Sequence, residues 1–268
     1  MIRIVFRDLS GQADLLDTTG ELSHLADFCV SSAVEHYYRL ATEKYGTPVS
    51  PTGEPEQMIV LAMGKLGGYE LNLSSDIDLI FLYTHQGQIE LDNGKLLSHQ
   101  EFFLRLSRHV IGALDDAGSI NNVFRVDMRL RPYGDSGPLV LHRSAMEKYY
   151  IEQGRDWERY AFIKARVIAG DFAAGADFLE WMKPFIYRRH LDYGAVQSLR
   201  EMKGLIARQV ELKEMGNDLK LGPGGIREIE FIAQAQQLIW GGKYPVLQEP
   251  KLLPVLDSLV VPIFLPGP

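Results

Sequence analysis

Residues 74–83, SSDIDLIFLY, place two carboxylates, Asp76 and Asp78, at the mouth of an apolar run. A short apolar run bounded by turn residues reads as a buried strand. On extended backbone, residues i and i+2 point to the same side. Asp76 and Asp78 therefore project together from the start of the strand, a pair that repels itself unless a cation stands between the two groups. A second apolar run, MIVLAM (Met58–Met63), reads as a neighbouring buried strand. Between the two runs lies GKLGG (Gly64–Gly68), followed by a polar segment ending in Ser74 and Ser75.

VFRVDMRLRP (Val123–Pro132) alternates strictly. Phe124, Val126, Met128 and Leu130 face one way, and Arg125, Asp127, Arg129 and Arg131 the other, the period of a strand with one buried face. Asp127 is the natural third carboxylate. Hard divalent ions such as Mg²⁺ take oxygen ligands and keep several of their own waters. Three carboxylates on adjacent strands suit two Mg²⁺ ions about 4 Å apart, the arrangement that stabilises attacking and leaving oxygens at phosphorus. Arg125 and Arg129 on the same face suit phosphate charge. The rival readings stay open here: a solvated acidic pair at a strand end, and a structural ion-pair ladder around Asp127.

GKLGG lacks the Walker spacing of a phosphate loop. Either the amides near Gly67 and Gly68 approach a substrate, or the segment is a plain strand-to-loop turn. Ser74 and Ser75 either bind phosphate through hydroxyl and amide groups or cap a turn. GPGGIRE (residues 222–228) opens a helix and either presents amides to an anion or simply connects. Arg155, Arg159, Lys164 and Arg166, in the helix-like stretch RDWERYAFIKARVI, either line a basic pocket or form a solvated face.

The rest of the chain is mainly helical. Apolar residues from Met1 to Leu16 suggest a first helix. Thr18 and Glu21 have capping-box spacing, which predicts a second helix from about Gly20 to Gly46. GTPVSPTGEPEQ is a turn-rich linker. A loop after Tyr83, with room for a hairpin, precedes an amphipathic helix over Ser98–Leu114 that turns Phe102, Phe103, Leu106, Val110, Ile111 and Leu114 inward. Helices are also expected over Ser144–Gln153, Val196–Glu214 and Ile226–Trp240. The division expected is 1–52 helical lead-in, 53–143 core, and 144–268 mainly helical. The apolar, Pro-rich tail LVVPIFLPGP suggests a truncated chain with an exposed apolar patch over Leu252–Leu265.

A net charge of -7 argues against a nucleic-acid surface, which needs excess Lys and Arg. Cys29 is the only cysteine, so a disulfide framework and a thiolate metal cluster are excluded, and a reducing, cytoplasmic location is expected. No run of about 18 apolar residues is present to span a membrane. The charged first residues lack a signal-peptide core.

The segments GKLGGYELNLSSDIDLIFLY, RVDMRLRPYGDSGPLVL, YYIEQGRDWERYAFIKARVIAGD, YRRHLDYGAVQSLREMKGLIARQV and LGPGGIREIEFIAQAQQLI together resemble one family. It is that of the bifunctional glutamine synthetase adenylyltransferase/adenylyl-removing enzymes. The likeness runs from the first helices to about Leu259. It implies an α+β fold: a DNA polymerase beta-like nucleotidyltransferase core with a small mixed sheet, flanked by N-terminal and C-terminal helical regions. It implies Asp76, Asp78 and Asp127 as the catalytic, Mg²⁺-binding triad. Ser74-Ser75 stand where the transferring half of the family has Gly-Ser, which resembles the N-terminal, adenylyl-removing half. The implied reaction is phosphorolysis of adenylyl-tyrosine on adenylylated glutamine synthetase, consuming phosphate and releasing ADP. AMP transfer from ATP to the same tyrosine and a catalytically silent docking fragment remain open. A PII-type signalling protein is the implied regulator of the full-length enzyme.

Overall fold

The computed structural model describes residues 1–115, 123–187, 204 and 224–260. They fall into two compact units: the described residues of 1–153 with 164–181, and those of 154–163 with the described residues from 182 onward.

The first unit begins with two helices, α1 (Ile2–Leu9) and α2 (Leu15–Tyr45). The expected first helix stops at Leu9, because Gly11 adopts a φ of 68° and takes the chain out of helical geometry. The second starts earlier than the Thr18–Glu21 spacing predicts. The Asp14 side chain accepts from the Asp17 amide at 2.7 Å and caps α2, while Thr18 lies inside the helix and donates to Asp8 Oδ1 at 2.9 Å. Gly46 ends α2, as expected. Leu22, Ala26, Val30 and Val34 recur every four residues and bury one stripe of the helix.

The sheet these helices cover is small and mixed. Its central pair is β1 (Ile59–Ala62) and β2 (Ile77–Tyr83), antiparallel with Ile59 opposite Leu82 and Ala62 opposite Leu79. The one-turn helix α3 (Gly64–Gly67) follows β1. A hairpin of β3 (Gln88–Glu90) and β4 (Leu96–Ser98) fills the loop after β2. It leads into α4 (His99–Leu114), capped by Ser98, whose hydroxyl accepts from the Glu101 amide. Phe102, Phe103, Leu106, Val110 and Leu114 are buried, as the periodicity predicts.

Two strands lie parallel along the edge of β2 that β1 leaves open. These are β5 (Val126–Asp127), beside the start of β2, and β6 (Val140–His142), beside its end. The strand expected over Val123–Pro132 is thus only two residues long. Arg131 ends the alternation. Its guanidinium turns inward, 7% exposed, and donates to the carbonyls of Met128 (2.7 Å) and Gly137 (3.2 Å). A charged side chain enters an interior only when its donors are met, and these carbonyls meet them by folding residues 128–137 into a loop.

α5 (Arg143–Glu152) comes next; α6 (Asp156–Phe162) belongs to the second unit, and the first resumes with β7 (Arg166–Gly170), which pairs antiparallel with the free edge of β1. The helix-like reading of RDWERYAFIKARVI therefore holds only to Phe162. Beyond it, Val167 and Ile168 enter the sheet, β-branched residues that favour a pleated surface. α7 (Phe172–Ile186) follows.

In the second unit, the helix Ile226–Trp240 is the one expected. Gln237 Nε2 donates to the carbonyls of Leu247 (2.8 Å) and Glu249 (2.7 Å), tying that helix to the turn before a last helix, Leu252–Val260. The helix expected over Val196–Glu214, Gly222 and Pro223 of the glycine-rich loop, and residues 261–265 of the expected apolar patch lie outside the described residues. Among the described residues, no helix is long and apolar enough to cross a membrane.

Candidate functional site

The acidic residues meet where β2 begins. Asp76 lies just before the strand, and Asp78 is its second residue. In the parallel pairing of β2 with β5, Ile77 stands opposite Val126 and Asp78 opposite Asp127. The Ile77 amide donates to the Arg125 carbonyl at 2.8 Å, which fixes the register. A one-residue slip would turn Asp127 to the other face, so this hydrogen bond determines that the third carboxylate joins the first two.

Asp78 is the inner member of the group. Burial, and then the charges of Asp127 and Asp76, push its carboxyl up to about 6, with Arg129 acting against them. Asp127 is held below the ordinary carboxylate range by its bonds to Arg129. Arg129 donates from its amide to Asp127 Oδ1 at 2.8 Å and from its guanidinium to both oxygens, at 2.9 Å and 2.5 Å to Oδ2. Arg125 pairs with Asp76 and donates to the Ser74 carbonyl at 2.7 Å.

These pairings bear on the cation expected from the sequence. Among the described residues, no three His, Cys, Asp or Glu side chains are arranged to hold a metal ion. Asp76 and Asp127 are each paired with an arginine. In donor chemistry the group still fits a hard divalent ion: oxygen-only ligands from adjacent strands, crowded enough to raise Asp78. The two arginines are long, and their side chains are 62% and 71% exposed, so each can leave its carboxylate without disturbing the core.

The loop between β1 and β2 shapes the site in a way only partly expected. Gly64, which the sequence reading passed over, has a φ of 54°, and a Cβ there would stand 2.5 Å from Asp78 Oδ2. Only glycine lets the chain leave β1 so close to that carboxylate. Its signal was present, since it opens GKLGG directly after a buried strand. The amides of Gly67 and Gly68, which the sequence left between approaching a substrate and forming a plain turn, bond within the turn that α3 makes. The Gly67 amide donates to the Met63 carbonyl (3.0 Å) and the Gly68 amide to the Gly64 carbonyl (3.2 Å). Gly67 is required for a different reason: a Cβ there would stand 1.8 Å from the Lys164 carbonyl oxygen. Ser74 and Ser75 form a turn around Asn72. Asn72 Oδ1 accepts from the Ser75 hydroxyl (2.7 Å) and the Ser74 amide (3.3 Å).

The four basic residues of the 155–166 stretch divide between the two compact units. Arg155 and Arg159 belong to one compact unit, Lys164 and Arg166 to the other. Lys164 pairs with Glu70 at 2.6 Å, and Arg166 forms a two-pronged pair with Asp27, both contacts at 2.9 Å. In the glycine-rich loop, the Gly224 amide donates to Glu228 Oε2 at 2.8 Å, so a residue of the helix itself takes that donor.

The family model for glutamate-ammonia ligase adenylyltransferase matches residues 1–181, and the model for GlnD PII-uridylyltransferase matches residues 200–262. Three curated relatives share the name bifunctional glutamine synthetase adenylyltransferase/adenylyl-removing enzyme. The chain is 53% identical to that of Pseudomonas syringae pv. tomato over 99% of its own length. It is 54% identical to that of Pseudomonas aeruginosa over 99%, and 53% identical to that of Nitrosococcus oceani over 97%. It spans 27% of the length of each of these relatives. With a family model covering residues 1–181 and an acidic site at the head of a mixed sheet, this chain belongs to the glutamate-ammonia ligase adenylyltransferase family.

Proposed function

We propose that this chain carries a nucleotidyl-transfer site that removes AMP from an adenylylated tyrosine of glutamine synthetase by phosphorolysis. The observation that carries the reading is the in-register pairing of Asp78 with Asp127, with Asp76 two residues before Asp78. An oxygen of inorganic phosphate attacks the adenylyl phosphorus, the bond from phosphorus to the tyrosyl oxygen breaks, and ADP and the free tyrosine leave. Asp76, Asp78 and Asp127 are the proposed catalytic and metal-holding residues. Two Mg²⁺ ions held by them would stabilise charge on the attacking and departing oxygens.

The chain's own residues do the positioning. Arg125 and Arg129 present exposed guanidinium forks at the rim, a geometry matched to phosphate oxygens. Ser74 and Ser75 form the Asn72 turn that sets where Asp76 leaves the loop. The tyrosyl oxygen departs as a phenolate of pKa about 10, so it needs little help from an acid.

The phosphorolytic direction is supported by the Ser74-Ser75 pair, which stands where the transferring half of the family has Gly-Ser. The relatives' name carries both activities, so AMP transfer from ATP to the same tyrosine is the second reading. A cytoplasmic location and, in the full-length protein, a PII-type regulator accompany the proposal; the PII-uridylyltransferase match over residues 200–262 supports the regulator.

The test is to incubate the chain and Mg²⁺ with adenylylated glutamine synthetase, with and without phosphate, and to resolve nucleotides by chromatography. Phosphate-dependent ADP is expected. Incorporation of AMP from ATP without ADP release would reverse the direction. Binding to glutamine synthetase with neither reaction would make the chain a docking fragment.

A further inference from the structure

We propose that Arg166 is a positioning residue for the acidic site, acting through the α3 turn and Gly64 on the Asp78 carboxylate. The inference rests on the reading of Asp78 as part of the reacting site. It adds a residue 88 positions beyond Asp78 in sequence, whose guanidinium bonds to Asp27 and to the carbonyls of Leu66 and Gly67.

The residues that carry it surround the segment 64–70. The Met63 amide donates to the Asp78 carbonyl at 2.9 Å, and Gly64 lies directly against the Asp78 side chain. The position of this segment therefore sets the wall against which Asp78 rests. A one-turn helix has little stability of its own, and its last carbonyls have no partner within it. Arg166 supplies one to Gly67 and adds a second donor to the Leu66 carbonyl, which also accepts from the Tyr69 amide at 3.1 Å. Its guanidinium donates to the carbonyls of Leu66 (3.0 Å) and Gly67 (3.3 Å), lies 3.8 Å from the ring centre of Tyr69, and grips Asp27 of α2 with two further bonds.

One planar group thus joins four parts of the unit: β7, which carries it, the end of α3, the ring of Tyr69, and α2. The segment needs such fastening. Tyr69 holds a φ of 56°, a conformation costly for a bulky residue. Two more contacts act beside Arg166. The Lys164 backbone fits against Gly67 so closely that no Cβ could be added, and the Lys164 ammonium pairs with Glu70 at the far end of the segment. Lysine in place of Arg166 would keep the charge opposite Asp27. It would lose the rigid fork that reaches a carboxylate and two carbonyls at once.

The experiment compares wild type, Arg166→Lys and Arg166→Gln in three measurements. These are Mn²⁺ binding by electron paramagnetic resonance, steady-state ADP release from adenylylated glutamine synthetase, and urea unfolding in chelator. For Arg166→Lys we expect Mn²⁺ affinity about tenfold weaker and kcat at least tenfold lower, with KM for adenylylated glutamine synthetase within twofold. The folded fraction under assay conditions should match wild type. Arg166→Gln should be weaker still, so that rescue follows the fork before the charge.

Unchanged Mn²⁺ affinity and kcat in Arg166→Lys would overturn the proposal, as would losses that merely track the unfolded fraction. If neither Arg166 variant folds, Asp27→Asn carries the same comparison. It leaves the carbonyl contacts in place and loosens the guanidinium, and a several-fold loss of Mn²⁺ affinity is expected; none would overturn the proposal. Failure of the site reading looks different: wild type itself would bind no Mn²⁺.

Discussion

Asp78→Asn should stabilise this protein while removing a group on which its proposed chemistry depends. The carboxyl of Asp78 is pushed from 3.8 up to about 6 by burial and by the neighbouring charges of Asp127 and Asp76. A carboxylate whose folded value is raised binds its proton more tightly in the native state than in the unfolded chain. Stability is then lost as pH rises from about 4 through 6, and the whole deficit is present above that window. Two pKa units at about 1.4 kcal/mol each give a deficit on the order of 3 kcal/mol at pH 8. An isosteric amide carries no charge to desolvate or repel, so the variant should recover most of it. With a urea dependence of about 1–3 kcal/mol per molar, the midpoint should rise by about 1 M or more. Circular dichroism during urea unfolding, in chelator at pH 8 and again at pH 4, reads the effect. The gain should be large at pH 8 and small at pH 4, where the wild-type group is protonated in the folded state and still about half protonated in the unfolded chain. Equal midpoints at pH 8, or the same gain at both pH values, would refute the electrostatic account of Asp78.

Other perturbations separate the site from its scaffold. Asp127→Asn should lower phosphate-dependent ADP release by orders of magnitude while leaving the unfolding midpoint within about 1 kcal/mol of wild type; turnover near wild type would remove Asp127 from the mechanism. Gly67→Ala drives a methyl to 1.8 Å from the Lys164 carbonyl oxygen and should cost more than about 4 kcal/mol or prevent soluble expression. Gly53→Ala meets open space and faces only its φ of 86°, so it should cost about 1–2 kcal/mol by the same urea assay. Arg131→Met leaves the carbonyls of Met128 and Gly137 without their buried donor and should cost about 2–3 kcal/mol. Limited proteolysis of that variant should cut within residues 128–137 first.

The acidic residues show how far sequence reaches. That Asp76 and Asp78 open a buried strand follows from the apolar run behind them, and that Asp127 lies on a polar face follows from alternation. Both are local patterns, set by which side of an extended chain must avoid water. Whether Asp127 stands beside Asp78 is another matter. It depends on a parallel register fixed by the Ile77 amide and the Arg125 carbonyl, 48 positions apart. The arginines illustrate the same boundary: Arg125 and Arg129 could be placed on the acidic face, but not seen to close on Asp76 and Asp127. Arg131 obeyed the alternation in sequence and broke it in space, because two backbone carbonyls could satisfy it inside.

By itself, then, the sequence determined the elements whose cause is near at hand: β1 and β2 from their apolar runs, α4 from its helical stripe and Ser98 cap, and the acidic pair at the head of β2. Tertiary structure alone decided what those elements meet. It drew β7 into the sheet from a stretch that reads as helix. It set Gly64 against the Asp78 side chain and Gly67 against the Lys164 backbone. It also brought Arg166 to Asp27 across 139 residues. The physical reason is that periodicity and capping are written into a few neighbouring residues, whereas the partner of a charge or a strand edge is settled only when the whole chain closes around its core.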